Sequence, residues 1–314
     1  MKSLTNTRLL NLPPNAVEDI KKIHNLDKPG RMDEAIDLLE RWLKKQDHII
    51  KKDFSRSYLE MTLISAKGSV EKAKKLIDRL CTMKTLLPHF FTKTNVKAEL
   101  RDVLELGFVV PLPKLTEDFY RVLLIKVTDT IQFTESNILG YFQYNMILGE
   151  YLKTHDYVNG FVIVYDYQQT NILDMVTKLN PIQFQQYVSI LIEGYGTRLK
   201  GIYLLTQSKA VDLIVTLVKQ FLSQKISERM KVVKTLEELH QKVDKDILPV
   251  EYGGKERPTS EILADWIEEL STEENVNYLK IMNKACTNEK LRRSNEFNEE
   301  YMGMPGSFRN LTVD

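Results

Sequence analysis

Ile247 to Gly254 reads ILPVEYGG. The proline fixes φ and lacks the N–H that a continuing helix needs, while Gly253 and Gly254 allow backbone angles closed to other residues. An apolar run that ends on a proline and passes through an acid and an aromatic into a glycine pair is a sharply shaped connector. Alone it only stops a helix. What it closes is decided by the segments upstream of it.

The stretch Ala210 to Leu222, AVDLIVTLVKQFL, is the most apolar helix candidate in the chain. Asp212, Thr216, Lys219 and Gln220 form one narrow polar stripe, and Ala210, Val211, Leu213, Ile214, Val215, Leu217, Val218, Phe221 and Leu222 fill the remaining circumference. Such a helix needs more than one apolar neighbour. Two readings fit: a crossover helix buried by its own sheet, or a lid whose inner face covers an apolar ligand and whose outer edge meets a bilayer. Charge bears on the choice. From Arg198 to Lys234 the bases Arg198, Lys200, Lys209, Lys219, Lys225, Arg229, Lys231 and Lys234 face only Asp212 and Glu228, a local balance of +6. A basic cluster beside an apolar helix suits anionic headgroups, each base contributing on the order of 1 kcal/mol near such a surface. In TRLKGIYLL the period-two alternation would send Arg198 and Lys200 to the same side of a strand.

Further out, the chain divides by pattern. Asp33 to Lys45 and Val70 to Met83 each carry an apolar helical face, the second with Ser69 as N-cap, and Pro88 marks a boundary. After about residue 100, Gly107 to Leu112, Tyr120 to Val127, Gly160 to Tyr165 and Leu199 to Leu205 suit buried strands, with helices at Ser136 to Thr154 and Pro181 to Glu193 between them. The expected fold class is α/β: a mixed, mostly parallel sheet with crossover helices and an apolar lid helix, preceded by an all-helical N-terminal domain. Residues 1–95, 96–255 and 256–314 are the expected units. The last is acidic, 12 acids to 7 bases, with a helix from Ser260 to Leu270 anchored by Trp266.

Composition limits the function classes. With 44 basic and 43 acidic residues among 314, the chain gives no global reason to bind nucleic acid. The N-terminus has no signal-peptide h-region, and no run of 18 apolar residues occurs, so a cytoplasmic protein with only transient, peripheral membrane contact is expected. Cys81 and Cys286, far apart in the chain, read as reduced thiols. His24, His48, His89, His155 and His240 lack metal-ligand spacing, and no GxSxG elbow, P-loop or dinucleotide fingerprint is present. No enzymatic activity, metal or cofactor is expected.

The order of a helical N-terminal part, VIVYD, a helix, RLKGIYLL, an apolar helix, KISERM and ILPVEYGG resembles the CRAL-TRIO family of lipid-binding proteins, which includes tocopherol and retinaldehyde carriers. The resemblance covers roughly residues 96 to 255 together with the helical companion before them. It implies an intracellular carrier of one hydrophobic molecule (a tocopherol, retinoid, carotenoid or similar lipid) exchanged at phosphoinositide-bearing membranes. It also implies that Arg198, Lys200, Lys225 and Arg229 form a basic cleft for phosphoinositide headgroups. By the same comparison Val211, Ile214, Val218 and Leu222 face the ligand from the lid, with Ile190 and Leu191 on the preceding helix.

Three places bear on that resemblance. The family's arginine-rich FLRAR-like stretch is replaced by Leu63, Ile64, Ser65, Ala66 and Lys67, so that one supporting basic contribution is lost or falls to Lys67. The DLEG-type turn appears as Asp166, Tyr167, Gln168 and Gln169, without glycine. The ending GSFRNL resembles that of insect members. A helical interaction scaffold is the rival reading, from the loosely similar DEAIDLLERWLKK and VEKAKKLIDRLCTMK, but two weak copies fall short of the roughly three that a stacked repeat needs.

Overall fold

The computed structural model describes residues 7–128 and 132–293, so the GSFRNL ending lies outside the described residues. Four helices come first: α1 Ala16–Ile23, α2 Arg31–Lys44, α3 Arg56–Ser65 and α4 Val70–Leu86. The apolar stripes of α2, α3 and α4 converge on Ile36, Leu39, Leu43, Leu59, Leu63 and Ile77, all buried in one cluster. The Ser69 hydroxyl accepts the Lys72 N–H at 3.3 Å and so caps α4, as its position predicts. Cys81 and Cys286 are both free thiols, and burial pushes the Cys81 thiol up to about 12. Two short helices, α5 Val96–Glu99 and α6 Arg101–Leu106, lead into the sheet.

The sheet has five strands in sequential order: β1 Gly107–Leu115, β2 Tyr120–Val127, β3 Gly160–Asp166, β4 Leu199–Leu205 and β5 Met230–Val233. β1 pairs antiparallel with β2, and the remaining pairs are parallel. This is the mixed, mostly parallel sheet that the sequence predicts. Pro111 and Pro113 cannot donate to a ladder, which suits β1 to the edge, and its register shifts between Pro111 and Leu115. β1 runs three residues beyond the expected Leu112. β5 is an addition, too short and too exposed at Lys231 and Val232 to show in the pattern.

Each parallel connection carries helices. α7 Glu135–His155 joins β2 to β3 and begins with a capping box between Thr134 and Asn137. α8 Ile172–Lys178 and α9 Pro181–Ser189 join β3 to β4. The expected helix Pro181 to Glu193 does not stay α-helical. Its last turn, Ile190–Gly194, widens so that Tyr195 N–H reaches the Ile190 carbonyl at 2.9 Å, and Gly196 then takes φ +70°. α10 Val211–Lys219 and α11 Gln224–Ser227 join β4 to β5, and α12 Leu236–His240, α13 Thr259–Leu270 and α14 Glu273–Met282 follow.

Several contacts tie the expected units together. Leu9 and Leu10 are buried in the sheet's core, and Asn11 N–H donates to the Pro113 carbonyl at 2.9 Å. Trp266 of α13 is fully buried there and donates its indole N–H to the Pro111 carbonyl at 3.0 Å. Met282 and Ala285, by contrast, belong to the core of the N-terminal helices. Lys84 of α4 pairs with Glu150 of α7 at 3.1 Å, both side chains almost wholly buried, and the Tyr195 hydroxyl donates to the same carboxylate at 3.0 Å.

ILPVEYGG acts as a clasp. Gly253 sits at φ +68°, and a Cβ on Gly254 would overlap the Leu248 carbonyl, so the turn needs both glycines. The Tyr252 hydroxyl donates to Asp166 Oδ2 at 2.7 Å at the end of β3, and the His240 ring meets the Tyr252 carbonyl at 2.7 Å. Glu251 accepts the Thr259 N–H at 2.9 Å and so satisfies the first turn of α13. The DLEG-type turn at the same strand end works without glycine because its backbone stays at negative φ. Asp166 Oδ1 instead accepts the Gln168 N–H at 3.0 Å.

Candidate functional site

Alternation along the central strands produces an apolar wall. Ile163 and Tyr165 of β3 and Ile202 and Leu204 of β4 face one side, while Val162, Val164 and Leu205 face the core that holds Leu248 and Tyr252. Over the first side, α7, α8, α9 and α10 enclose a cavity of about 160 Å³. Its lining is aliphatic and aromatic, with tyrosines and Thr197 as its hydroxyl groups and no charged side chain among the lining residues. Apolar cavities of about this size exclude water and admit small hydrocarbons.

Of the pocket residues expected from the sequence, Leu191, Ile214, Val218 and Leu222 line this cavity. Ile190 and Val211 stand beside it. Ile190 is fully buried in the cluster of Leu80, Phe90 and Phe142, a displacement of one position that follows from the widened turn. Val211 packs against Tyr167, Ile172 and Leu204. Among the lining residues that the sequence did not single out are Ile138, Tyr141 and Phe142 of α7 and Phe184, Tyr187 and Val188 of α9. The i, i+3, i+4, i+7 spacing from Phe184 to Leu191 was the available signal. The apolar helix itself runs Val211–Lys219, with Gln220 to Ser223 turning off its end. Leu173, Ile182 and Leu213, one each on α8, α9 and α10, are exposed on the outside of the same wall.

A basic cluster lies at the N-terminal end of β4. Arg198 is lowered from its ordinary pKa by burial and by Arg229, and Lys67 is lowered first by Arg198, then by desolvation, Lys225, Lys72 and Arg229. These groups are therefore near neighbours. Lys67 gets there because α3 ends on two left-handed residues, Lys67 at φ +57° and Gly68 at +75°, with Gly68 N–H returning to the Leu63 carbonyl at 2.8 Å. Arg229 donates to the Leu199 carbonyl and bridges β4 to the approach of β5. Lys200 departs from the expected alternation. The register between β3 and β4 shifts there, so that Phe161 pairs with Leu199 and Val162 with Gly201, and Lys200 is the extra residue of the bulge. Its ammonium turns to Asp118 at 3.2 Å and lies over the Tyr120 ring at 5.4 Å. Both partners of that pair are largely exposed, so it holds Lys200 only weakly.

His24, at the end of α1, also reaches the cluster. Arg198 Nη1 lies 2.9 Å and Asn159 Oδ1 3.1 Å from His24 Nε2, so that nitrogen accepts from Arg198 when it is unprotonated and donates to Asn159 when it carries a proton. Burial, then Arg198, holds the ring down to about 4 from its ordinary 6.5. Between those values the unfolded chain binds the additional proton, so this contribution to stability is complete above about 6.5 and is lost as the pH falls towards 4. Thermal melts across that window should flatten in a His24→Gln variant. An unchanged pH profile would show that the ring titrates as freely in the fold as outside it.

The comparisons agree with this architecture. Residues 109–254 match the model of the CRAL/TRIO domain. The chain carries a CRAL-TRIO domain. Residues 28–100, which hold α2 to α4, match the Pinta-like UBA domain. Mouse alpha-tocopherol transfer protein-like is 25% identical over 234 residues, which cover 73% of this chain and 66% of the relative, a little under two thirds of its length. Rat clavesin-2 is 30% identical over 98 residues, 31% of this chain and 30% of its own. The crystal structure of Sfh5 superposes with a TM-score of 0.51 at 13% identity over 87% of this chain and 99% of that one, which bears on the fold alone. CRAL-TRIO proteins are a family of lipid-binding carriers. Among the described residues, no helix is long and apolar enough to cross a membrane, and no group of histidine, cysteine, aspartate or glutamate side chains is arranged to hold a metal ion.

Proposed function

We propose that this protein carries one hydrophobic small molecule in the cavity between the sheet and α10, and exchanges it at membranes that bear phosphoinositides. The observation that carries the reading is an apolar, uncharged cavity whose outer helix adjoins a cluster of bases. Shielding a lipid from water stabilises the complex by about 25 cal/mol per Å² of apolar area, so release requires an acceptor that is itself apolar. Anionic headgroups dock at Arg198, Lys225 and Arg229, with Lys67 added from α3 and Lys200 able to swing from its exposed pair with Asp118. Arginine offers a planar fork to phosphate oxygens and lysine a mobile point charge. Docking brings Leu173, Ile182 and Leu213 to the bilayer. The membrane then favours the open arrangement of α10, because only that arrangement inserts more apolar surface. Tocopherols, retinoids and carotenoids match the chemistry of such a lining, and because a space of about 160 Å³ holds only a small hydrocarbon, α10 moves outward to admit one. Native mass spectrometry of the protein from its own tissue should give a mass excess of one lipid, confirmed by solvent extraction. A protein that never yields a stoichiometric hydrophobe would end this reading.

A further inference from the structure

One histidine nitrogen at the basic cluster faces a donor and an acceptor at once. His24 Nε2 has Arg198 Nη1 at 2.9 Å on one side and Asn159 Oδ1 at 3.1 Å on the other. The frame around that nitrogen is fixed. The Asn159 amide N–H donates to the Asp118 carbonyl at 3.1 Å, so Oδ1 is the atom turned to the ring. The Arg198 carbonyl accepts the Phe161 N–H at 2.7 Å, and a Cβ on Gly160 would overlap that carbonyl, so the arginine backbone is pinned and only its side chain can move. His24 itself is buried where α1 ends. A Cβ on Gly68 would strike the His24 carbonyl, so the turn that delivers Lys67 packs directly on this residue. Among the described residues no carboxylate pairs with the half-buried Arg198, and its basic neighbours include Arg229 and Lys67.

A single nitrogen cannot satisfy both neighbours. Unprotonated, it accepts from Arg198 and sets its lone pair against Asn159 Oδ1; protonated, it donates to Asn159 and meets Arg198 donor to donor and charge to charge. We infer that His24 is a positioning residue for anion docking, a latch that holds Arg198 back while its ring is neutral and releases it to a polyanion on taking up a proton. The charged groups that act on the ring are Arg198 from the approach to β4 and Lys67 from the end of α3, both basic, while the Asp118 carboxylate is turned to Lys200. Burial, then Arg198, with Lys67 adding to them, holds the free ring down to about 4. An anion that draws Arg198 outward and offsets the bases relieves that repulsion, so the ring takes its proton more readily in the complex than in the free protein. By linkage the affinity for the anion then rises as the pH falls from about 6.5 towards 4. This inference rests on the reading of the cluster as a docking site and couples a proton to it.

The test uses the full chain and inositol hexasulfate, whose sulfates stay ionised throughout, unlike phosphate monoesters, which titrate at about pH 6. Calorimetric titration at about pH 5.5 in acetate and in MES, buffers of unlike ionisation heat, should show uptake of roughly half a proton or more on binding, and almost none at about pH 7.5. Affinity should rise on the order of tenfold between about pH 7 and about pH 5. His24→Gln, whose amide offers Arg198 an acceptor and Asn159 a donor at any pH, should lose most of the uptake and flatten the pH profile. The unaltered protein supplies a second measurement that needs no variant: an NMR titration of the lowest-titrating of the five imidazoles should give a higher pKa with the probe than without it. Uptake unchanged in a folded His24→Gln, or an imidazole pKa that the probe does not move, would overturn the latch while the docking reading stands. If inositol hexasulfate binds the unaltered protein at neither pH, the docking reading of the cluster falls with it.

Discussion

Lys225→Glu combined with Arg229→Glu should reduce binding to phosphatidylinositol bisphosphate vesicles roughly a thousandfold at low salt. Each base near an anionic surface contributes on the order of 1 kcal/mol, and two reversals change the local charge by four, about 4 kcal/mol in all. The effect should shrink at high salt, because the Debye length falls from about 10 Å at 0.1 M to about 3 Å at 1 M. Arg229 also donates to the Leu199 carbonyl, so its loss disturbs the strand as well as the charge. Lys225→Glu alone avoids that complication and should still weaken vesicle binding more than tenfold, or about 2 kcal/mol. Lys67→Glu is the more informative companion, since Lys67 enters the cluster from a different part of the fold and touches neither strand ladder. Vesicle sedimentation with cargo retention measured in parallel separates docking from pocket integrity. Unchanged sedimentation of both lysine variants would mean that the cluster is a solvated surface.

The parts of this molecule that were legible in the sequence are those where local pattern and tertiary role coincide. Four strands appeared as apolar runs because both of their faces are covered, and ILPVEYGG appeared as a connector because Gly253 takes a left-handed φ and Gly254 leaves no room for a Cβ beside the Leu248 carbonyl. Ile190 and Leu191 were adjacent candidates, and only the widened turn at Ile190–Gly194 decides which of the two meets the cavity. The placement of Lys200 depended on strict alternation, which a bulge interrupts. Lys67 and His24 lie more than 130 positions before Arg198 in sequence, and no periodicity relates them. Their meeting is a product of how α3 and α1 end against β4. Tyr141 and Tyr187 were hidden for a further reason: an aromatic at helical spacing is ordinary core, and only the enclosed space shows that these two line a cavity.

Val218→Asp should abolish cargo binding while the protein remains folded. Val218 lines the cavity from α10 and is only partly buried, whereas Ile214 one turn earlier is 6% exposed and buried in one cluster with Ile202 and Leu204. An aspartate at 218 must either stay neutral against an apolar cargo or carry its charge outward with the helix. Both routes admit water, and burying the group without a partner costs about 2–7 kcal/mol against the cargo. Occupancy of a lipid held at ordinary affinity should therefore fall at least roughly a hundredfold, about 2.8 kcal/mol. The fold has a separate source of stability on the far face of the sheet, where Val164 is fully buried beneath Leu248 and Tyr252. Val164→Asp is accordingly the matched control, expected to unfold the domain and to lose cargo as a consequence. Cargo loss with only a small drop in melting temperature in Val218→Asp identifies α10 as a lid. Unfolding as complete as that of Val164→Asp would make it instead a crossover helix on which the sheet depends, with the cavity a packing defect beneath it.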